Sequence, residues 1–346
     1  MTMNRRALVA AAACAATVGL WPGVASAAPD LGSAAAAGSV SETPTLPGPA
    51  QSTHAAAADY ADAHPGSAPP GANDVACVPS AAHPNPVILA HGSDSNAYSD
   101  WAALAPRLRV AGYCVFAVNY GGAPDSGDGD AGSGGTGSVG TEHPGNFGTE
   151  DMVASAEQVA DFVRRVRESS GAPKVDLVGF SQGATVTRHF VNKLGGAAVV
   201  DRWVGMASPS YGGVFYGLVP IADAVPGGRA VVSLFTTTAV EQQAQGSDFL
   251  TELNAPSDTV PGVRYTTIGT RYDEMIQPYT NIALRGPGAD NILIQDRCPQ
   301  NKTGHMNMPY DPYTLGLVEQ ALDPTAPAPT CTPVPLGTGM AGMIGR

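Results

Sequence analysis

Residues 179–183 read Gly-Phe-Ser-Gln-Gly, the spacing G-x-S-x-G. The motif closes the apolar run KVDLVGF (174–180) and opens a helical pattern. A strand-to-helix turn of this kind holds its serine in a strained, exposed position from which the hydroxyl can attack. Gly179 and Gly183 fit the places where a Cβ would crowd the neighbouring strand and helix. A hydroxyl is a poor nucleophile until a base takes its proton. In this architecture the chain order is Ser, then Asp or Glu, then His. Only His189 and His305 follow Ser181. His189 falls eight residues along the helix that leads away from the turn, so His305, in a loop after the last apolar strand, is the expected base.

The acid that orients the imidazole is chosen among the aspartates at 201, 223, 248, 258, 273, 290 and 296. Asp273 comes three residues after the strand candidate VRYTTIGT (263–270). That places it at the carboxyl edge of a sheet, where sites gather in open α/β folds. Asp296 also ends a strand candidate but sits close to Cys298, and Glu274 is one residue out of phase. The tetrahedral intermediate of acyl transfer needs preplaced donors. The N–H of Gln182 is one expected donor, and the N–H of Ser93, in the turn HGSDSN (91–96), is the other. His91 ends the preceding strand close to that turn.

These residues need a frame. PVILAHG (86–92), CVFAVNY (114–120), KVDLVGF (174–180), DRWVGMA (201–207), VRYTTIGT (263–270) and NILIQD (291–296) are short apolar runs that read as buried strands. Helical patterns fall between them, around Trp101, Leu104 and Leu108 and over 150–169. In the second of these Met152, Val153, Ala156, Val159, Ala160, Phe162, Val163 and Val166 repeat at the helical period, and Gly171 and Pro173 end the run. Strands that are apolar throughout and alternate with helices predict an α/β fold whose mainly parallel sheet is covered on both faces. No internal repeat is seen.

The chain has 346 residues, with 42 Gly, 30 Pro and 14% charged residues, and a net charge of −12. Such Gly and Pro content argues against a sustained coiled coil. The acidic balance argues against a nucleic-acid partner, which would draw on basic excess. Residues 1–27 read as an export signal: Arg5 and Arg6, an apolar stretch over 7–20, and small residues Ala25-Ser26-Ala27 for cleavage. Its loss leaves 16 basic against 30 acidic residues, a balance of −14. Residues 28–73, dominated by Ala, Pro, Gly and Ser, are expected to be a flexible spacer, 74–335 one catalytic domain, and 336–346 a loose tail. A secreted location follows. Four cysteines remain, Cys77, Cys114, Cys298 and Cys331, an even count that implies disulfides in an exported chain, with three connectivities open. No Cys/His spacing fits zinc. Asp125, Asp128 and Asp130 lie in a glycine-rich stretch that does not match an EF-hand and reads as a surface loop. No residue calls for a metal or another cofactor.

The stretches PVILAHGSDSNAYSDWAALAPRLRVAGYCVFAVNYGG, KVDLVGFSQG, TVPGVRYTTIGTRYDEMIQPY and NILIQDRCPQNKTGHMNMPYDP resemble secreted actinobacterial lipases of the α/β-hydrolase superfamily. The resemblance spans about residues 75–335. It implies Ser181 as nucleophile, Asp273 as acid, His305 as base, disulfides Cys77–Cys114 and Cys298–Cys331, and fatty-acid esters as substrates. Phe180 stands where the family has His, Ala184 where it has Gly, and Ser93 where it has Thr. The stretch 206–230 also departs from the family; its Tyr211, Val214, Phe215, Tyr216, Leu218, Val219 and Ile221 read either as an acyl-binding lid or as a packing loop. The expected protein is a monomeric lipase or esterase that touches a lipid interface transiently. An acyltransferase on the same fold and a non-catalytic envelope protein with a relic triad are the alternatives.

Overall fold

The computed structural model describes residues 39–122, 145–214 and 237–340. The first described elements are β1 (Val40–Glu42), β2 (Leu46–Pro47), α1 (His54–Ala63) and β3 (Ser67–Ala68). Strand and helix then alternate through β4 (Val87–Ala90), α2 (Ala97–Trp101), α3 (Leu104–Val110), β5 (Val115–Gly122), α4 (Met152–Ser170), β6 (Val175–Phe180) and α5 (Gln182–Lys193). After β7 (Val200–Met206) come α6 (Thr238–Gln242), α7 (Asp248–Asn254), β8 (Arg264–Gly269), β9 (Ala289–Leu293), α8 (Ile294–Arg297) and α9 (Pro312–Leu322).

The main sheet has the order β1-β5-β4-β6-β7-β8-β9. Every neighbouring pair is parallel except β1 with β5. The chain moves outward from β4 to β5 and then returns to β6 on the other side of β4. In an open parallel sheet, the crevice beyond the carboxyl ends at such a reversal is where a site forms.

Alternation along β4 shows why these strands are apolar throughout. Val87 and Leu89 pack into the core that holds Trp101, Leu104, Leu108 and Leu315. Ile88 and Ala90 pack into the opposite core with Val159, Phe162, Val163 and Val186. Each face therefore has a helical layer over it, and each fully buried aliphatic side chain contributes about 1.5–3 kcal/mol. The amphipathic helix expected over 150–169 is α4. The Asp151 carboxylate accepts the N–H groups of Val153 and Ala154 at its start, and Gly171, at φ 70°, ends it in the left-handed region that glycine tolerates.

Two expectations need correction. The run 291–296 is not one strand: β9 ends at Leu293, and Ile294–Arg297 turns into α8. The Gln295 side chain is thereby free to donate to Thr270 Oγ1 and the Asn301 carbonyl and to accept the Arg271 N–H. The flexible spacer is corrected over 39–73, which packs on the body. β1 adds an antiparallel edge to β5. Thr53 caps α1, and Ala57 and Ala61 are buried with Tyr98, Ala102 and Tyr310. Gly48 lies so near the Tyr98 ring that a Cβ would come within 2.2 Å of it. Alanine is the best helix former, and here it brings a helix close to the rings of Tyr98 and Tyr310, which supply the buried area.

Cys77 is joined to Cys114 and Cys298 to Cys331. Residues 1–27, the acidic glycine-rich stretch with Asp125, Asp128 and Asp130, and Phe215, Tyr216, Leu218, Val219 and Ile221 lie outside the described residues. Among the described residues, no helix is long and apolar enough to cross a membrane.

Candidate active site

Ser181 sits between β6 and α5 with φ 51° and ψ −121°, a left-handed conformation costly for a residue with a side chain. Its N–H donates to the Met206 carbonyl at 2.8 Å. The two flanking glycines make the turn sterically feasible. A Cβ on Gly179 would fall 2.3 Å from the Ala184 nitrogen, and one on Gly183 would fall 2.2 Å from the Ala90 oxygen. The helix can therefore pass close enough to β4 to hold Ser181 at the crevice, where the residue is partly exposed.

The structure brings Ser181, His305 and Asp273 together. His305 Nε2 lies 3.0 Å from Ser181 Oγ, and His305 Nδ1 lies 2.9 Å from Asp273 Oδ2. Asp273 Oδ1 accepts the N–H groups of Met275 and Ile276 at 2.9 and 2.6 Å, so both carboxylate oxygens have partners. Asp273 and His305 are buried. Burial by itself lowers the His305 pKa, but the charge and hydrogen bond of Asp273, with Glu274 and Asp100 behind them, outweigh it and leave it raised. Phe180 packs its ring 5.0 Å from that of His305.

The other sequence candidates stay away from this group. His189 is buried on α5, stacked on Phe249. Asp296 lies on α8 and pairs with Arg271. His91 is fully buried and stacks on Tyr120; its Nε2 accepts the Tyr120 N–H, and burial lowers its pKa.

Gln182 follows the nucleophile in sequence, and Ser93 lies in the turn after β4, the strand that pairs with β6. Among the described residues, neither N–H donates to a protein acceptor. The Gln182 side chain is buried; its amide donates to the Gly148 carbonyl and its oxygen accepts from Gln243. The turn 91–96 is held from several sides. Ser95 and Phe147 exchange backbone hydrogen bonds, Asn119 accepts the Ala97 N–H, and the Asp100 carboxylate accepts the Gly92 N–H at 2.6 Å and the Ser95 hydroxyl at 2.9 Å.

Several supports of the site have no local signature in the sequence. Glu274 accepts the His305 N–H at 2.7 Å and so fixes the loop that carries the imidazole. Gln295 ties that loop to the end of β8. Asp100 has a local signal only as an acidic residue in the first turn of α2. A helical acid next to a dipole is ordinary, and its distant partners are invisible in one dimension.

A seven-stranded, mainly parallel sheet with a strained serine at its crevice, linked through histidine to aspartate, has the architecture of an α/β-hydrolase fold. Residues 145–314, which hold all three side chains, match the family model described as lipase (class 2). That family match and the fold agree with the family that the sequence resembles. Aspergillus fumigatus lipase B is similar in structure, at 19% identity and a TM-score of 0.51, over 74% of this chain and 56% of that one. The chain thus spans little more than half of that fungal protein. Bacillus licheniformis lipase BlEst2 in its mature form is 17% identical with a TM-score of 0.48, over 70% of this chain and 94% of that one. No match appears among curated proteins.

Proposed function

We propose that the protein acts outside the cell and hydrolyses carboxylic esters of fatty acids through an acyl-serine. His305 takes the Ser181 proton as Oγ attacks the ester carbonyl. Asp273 keeps the imidazole in the tautomer that accepts at Nε2 and stabilises its cation. The N–H groups of Ser93 and Gln182 receive the oxyanion, each such donor contributing about 3 kcal/mol. His305 then protonates the leaving alcohol, and water, deprotonated by the same imidazole, releases the acid.

The observation that carries this reading is the unbroken chain of 3.0 and 2.9 Å contacts from Ser181 through His305 to Asp273. The Ser93 and Gln182 N–H groups, which have no acceptor among the described residues, support the oxyanion roles. The two disulfides support an oxidising compartment. The test is hydrolysis of a p-nitrophenyl ester series by the wild type and by Ser181→Ala. The variant should fold with the wild-type melting temperature and lose turnover on every chain length. Retained turnover overturns the assignment. The rates across acyl lengths rank long-chain against short-chain esters.

A further inference from the structure

The packed N-terminal segment ends, on its helix, in a contact with the site. His54 opens α1, and its Nε2 lies 3.3 Å from Asp100 Oδ1. Asp100 is fully buried on α2, directly after the turn 91–96. The same carboxylate accepts the Gly92 N–H and the Ser95 hydroxyl. A buried carboxylate without enough partners is costly, and one with them is a rigid anchor. Burial by itself raises the Asp100 pKa, yet it ends below the ordinary value; the hydrogen bond and charge of His54 lead the opposing contributions, ahead of the Gly92 N–H and His91. α1 is held over α2 by further contacts: Tyr98 donates to the Pro49 carbonyl, Gln51 donates to the Tyr98 hydroxyl, and Tyr60 lies 5.0 Å from the Tyr98 ring.

We infer that His54 and Asp100 are positioning residues, and that residues 39–73 complete the site by holding the Gly92–Ser93 peptide in the orientation that presents the Ser93 N–H. The geometry gives the reason. The Asp100 hydrogen bond anchors the His91–Gly92 peptide, and the Gly92 carbonyl, which shares its peptide plane with the Ser93 N–H, lies 2.7 Å from His91 Nδ1, so the two contacts together restrict the peptide that carries the Ser93 N–H. Without His54 the Asp100 carboxylate keeps only the Gly92 N–H and the Ser95 hydroxyl and loses its partner on the side facing α1, which loosens its hold on Gly92. This rests on the ester-hydrolase reading above for the meaning of the Ser93 N–H, but the positioning itself is a statement about the turn.

The experiment uses the full chain with His54→Ala, His54→Gln, Asp100→Asn and the double variant His54→Ala/Asp100→Asn. Two quantities are measured: kcat and KM on p-nitrophenyl butyrate, and hydrogen exchange of the 91–96 amides. Misplacement of one donor should lower kcat about tenfold or more in His54→Ala, with KM changed less than about twofold. Exchange over 91–96 should rise while the sheet strands keep wild-type protection. The double variant should be no slower than Asp100→Asn alone, and His54→Gln, whose amide can donate to Asp100, should recover most of the rate. Wild-type kcat and exchange in His54→Ala overturn the inference, as does a rate loss that His54→Gln shares and that tracks a general loss of protection. If Asp100→Asn does not fold, the two His54 variants decide the question, because His54 is partly exposed at the edge of the body. If the wild type shows no Ser181-dependent hydrolysis, the functional reading fails, and the exchange of 91–96 still decides the positioning.

Discussion

At the scale of single residues, the pH behaviour of the site follows from His305. Its pKa is raised, and only the neutral imidazole can take the serine proton. Turnover should therefore fall as pH drops through a midpoint above the ordinary histidine value of about 6.5. Asp273→Asn removes the charge that raises it. The acidic midpoint of kcat/KM should move down, and kcat should drop by a factor on the order of 10⁴, because the tautomer is no longer held. A pH–rate profile of both proteins checks this; an unmoved midpoint would show that Asp273 does not set the imidazole's affinity for its proton. Glu274 acts one step further out. Glu274→Ala leaves the His305 N–H without its acceptor and should lower kcat while the triad residues stay intact. Glu274→Gln, which keeps an acceptor oxygen, should lose less.

At the scale of elements, the turn between β6 and α5 works only because two glycines allow β4, β6 and α5 to touch. Gly183→Ala would press a methyl group against the carbonyl oxygens of Ala90 and His91 at 2.2 and 2.3 Å, both of them backbone atoms. The structure has no flexible side chain there to move aside. The cost should be ~3 kcal/mol or more, read as a fall in denaturant midpoint, with activity lost in whatever folds. A full-activity Gly183→Ala protein would mean that the helix can retreat without moving Ser181. The His305 loop has its own staple. Cys298–Cys331 closes a span of 33 residues that includes His305 and α9. Replacing both cysteines with serine should cost about 2–4 kcal/mol in thermal unfolding.

At the scale of the whole molecule, stability and catalysis meet at opposite ends of the sheet. Asp176 lies near the start of β6, away from Ser181 at its end. Burial, then the charge of Asp201, push its pKa up to about 7 despite hydrogen bonds from Asn85 and the Arg202 N–H. The folded pKa is above the unfolded one, so the folded state holds this proton more tightly. The ionised form carries a penalty that is absent below about pH 4 and grows as pH rises toward 7. Asp176→Asn keeps an acceptor for both donors and carries no charge. It should stabilise the fold by about 2–4 kcal/mol at pH 8 and by almost nothing at pH 4. Chemical denaturation at the two pH values checks the sign, and equal effects at both would refute it. Ester hydrolysis should be unchanged, since the site is at the other edge.

The sequence by itself determined the elements whose signals are local. The apolar runs, the periodic helix over 150–169 and the serine between two glycines each depend on neighbours within a few turns of chain, and so they were legible. Chain order and the position of Asp273 after its strand were enough to nominate the residues that the fold brings within hydrogen-bond reach. What remained hidden depends on contacts between distant segments. The alanine-rich stretch over 39–73 has a composition that cannot bury much surface alone; it packs because Tyr98 and Tyr310, far along the chain, offer it a face. Residues 294–297 curl into α8 because Gln295 finds partners at Thr270, Arg271 and Asn301. Glu274 and Asp100 were obscure for the same reason: a carboxylate's role is set by which N–H groups surround it, and those come from other parts of the fold. Local propensity and period are written along one dimension, whereas the partners of a buried polar group exist only once the chain has closed on itself.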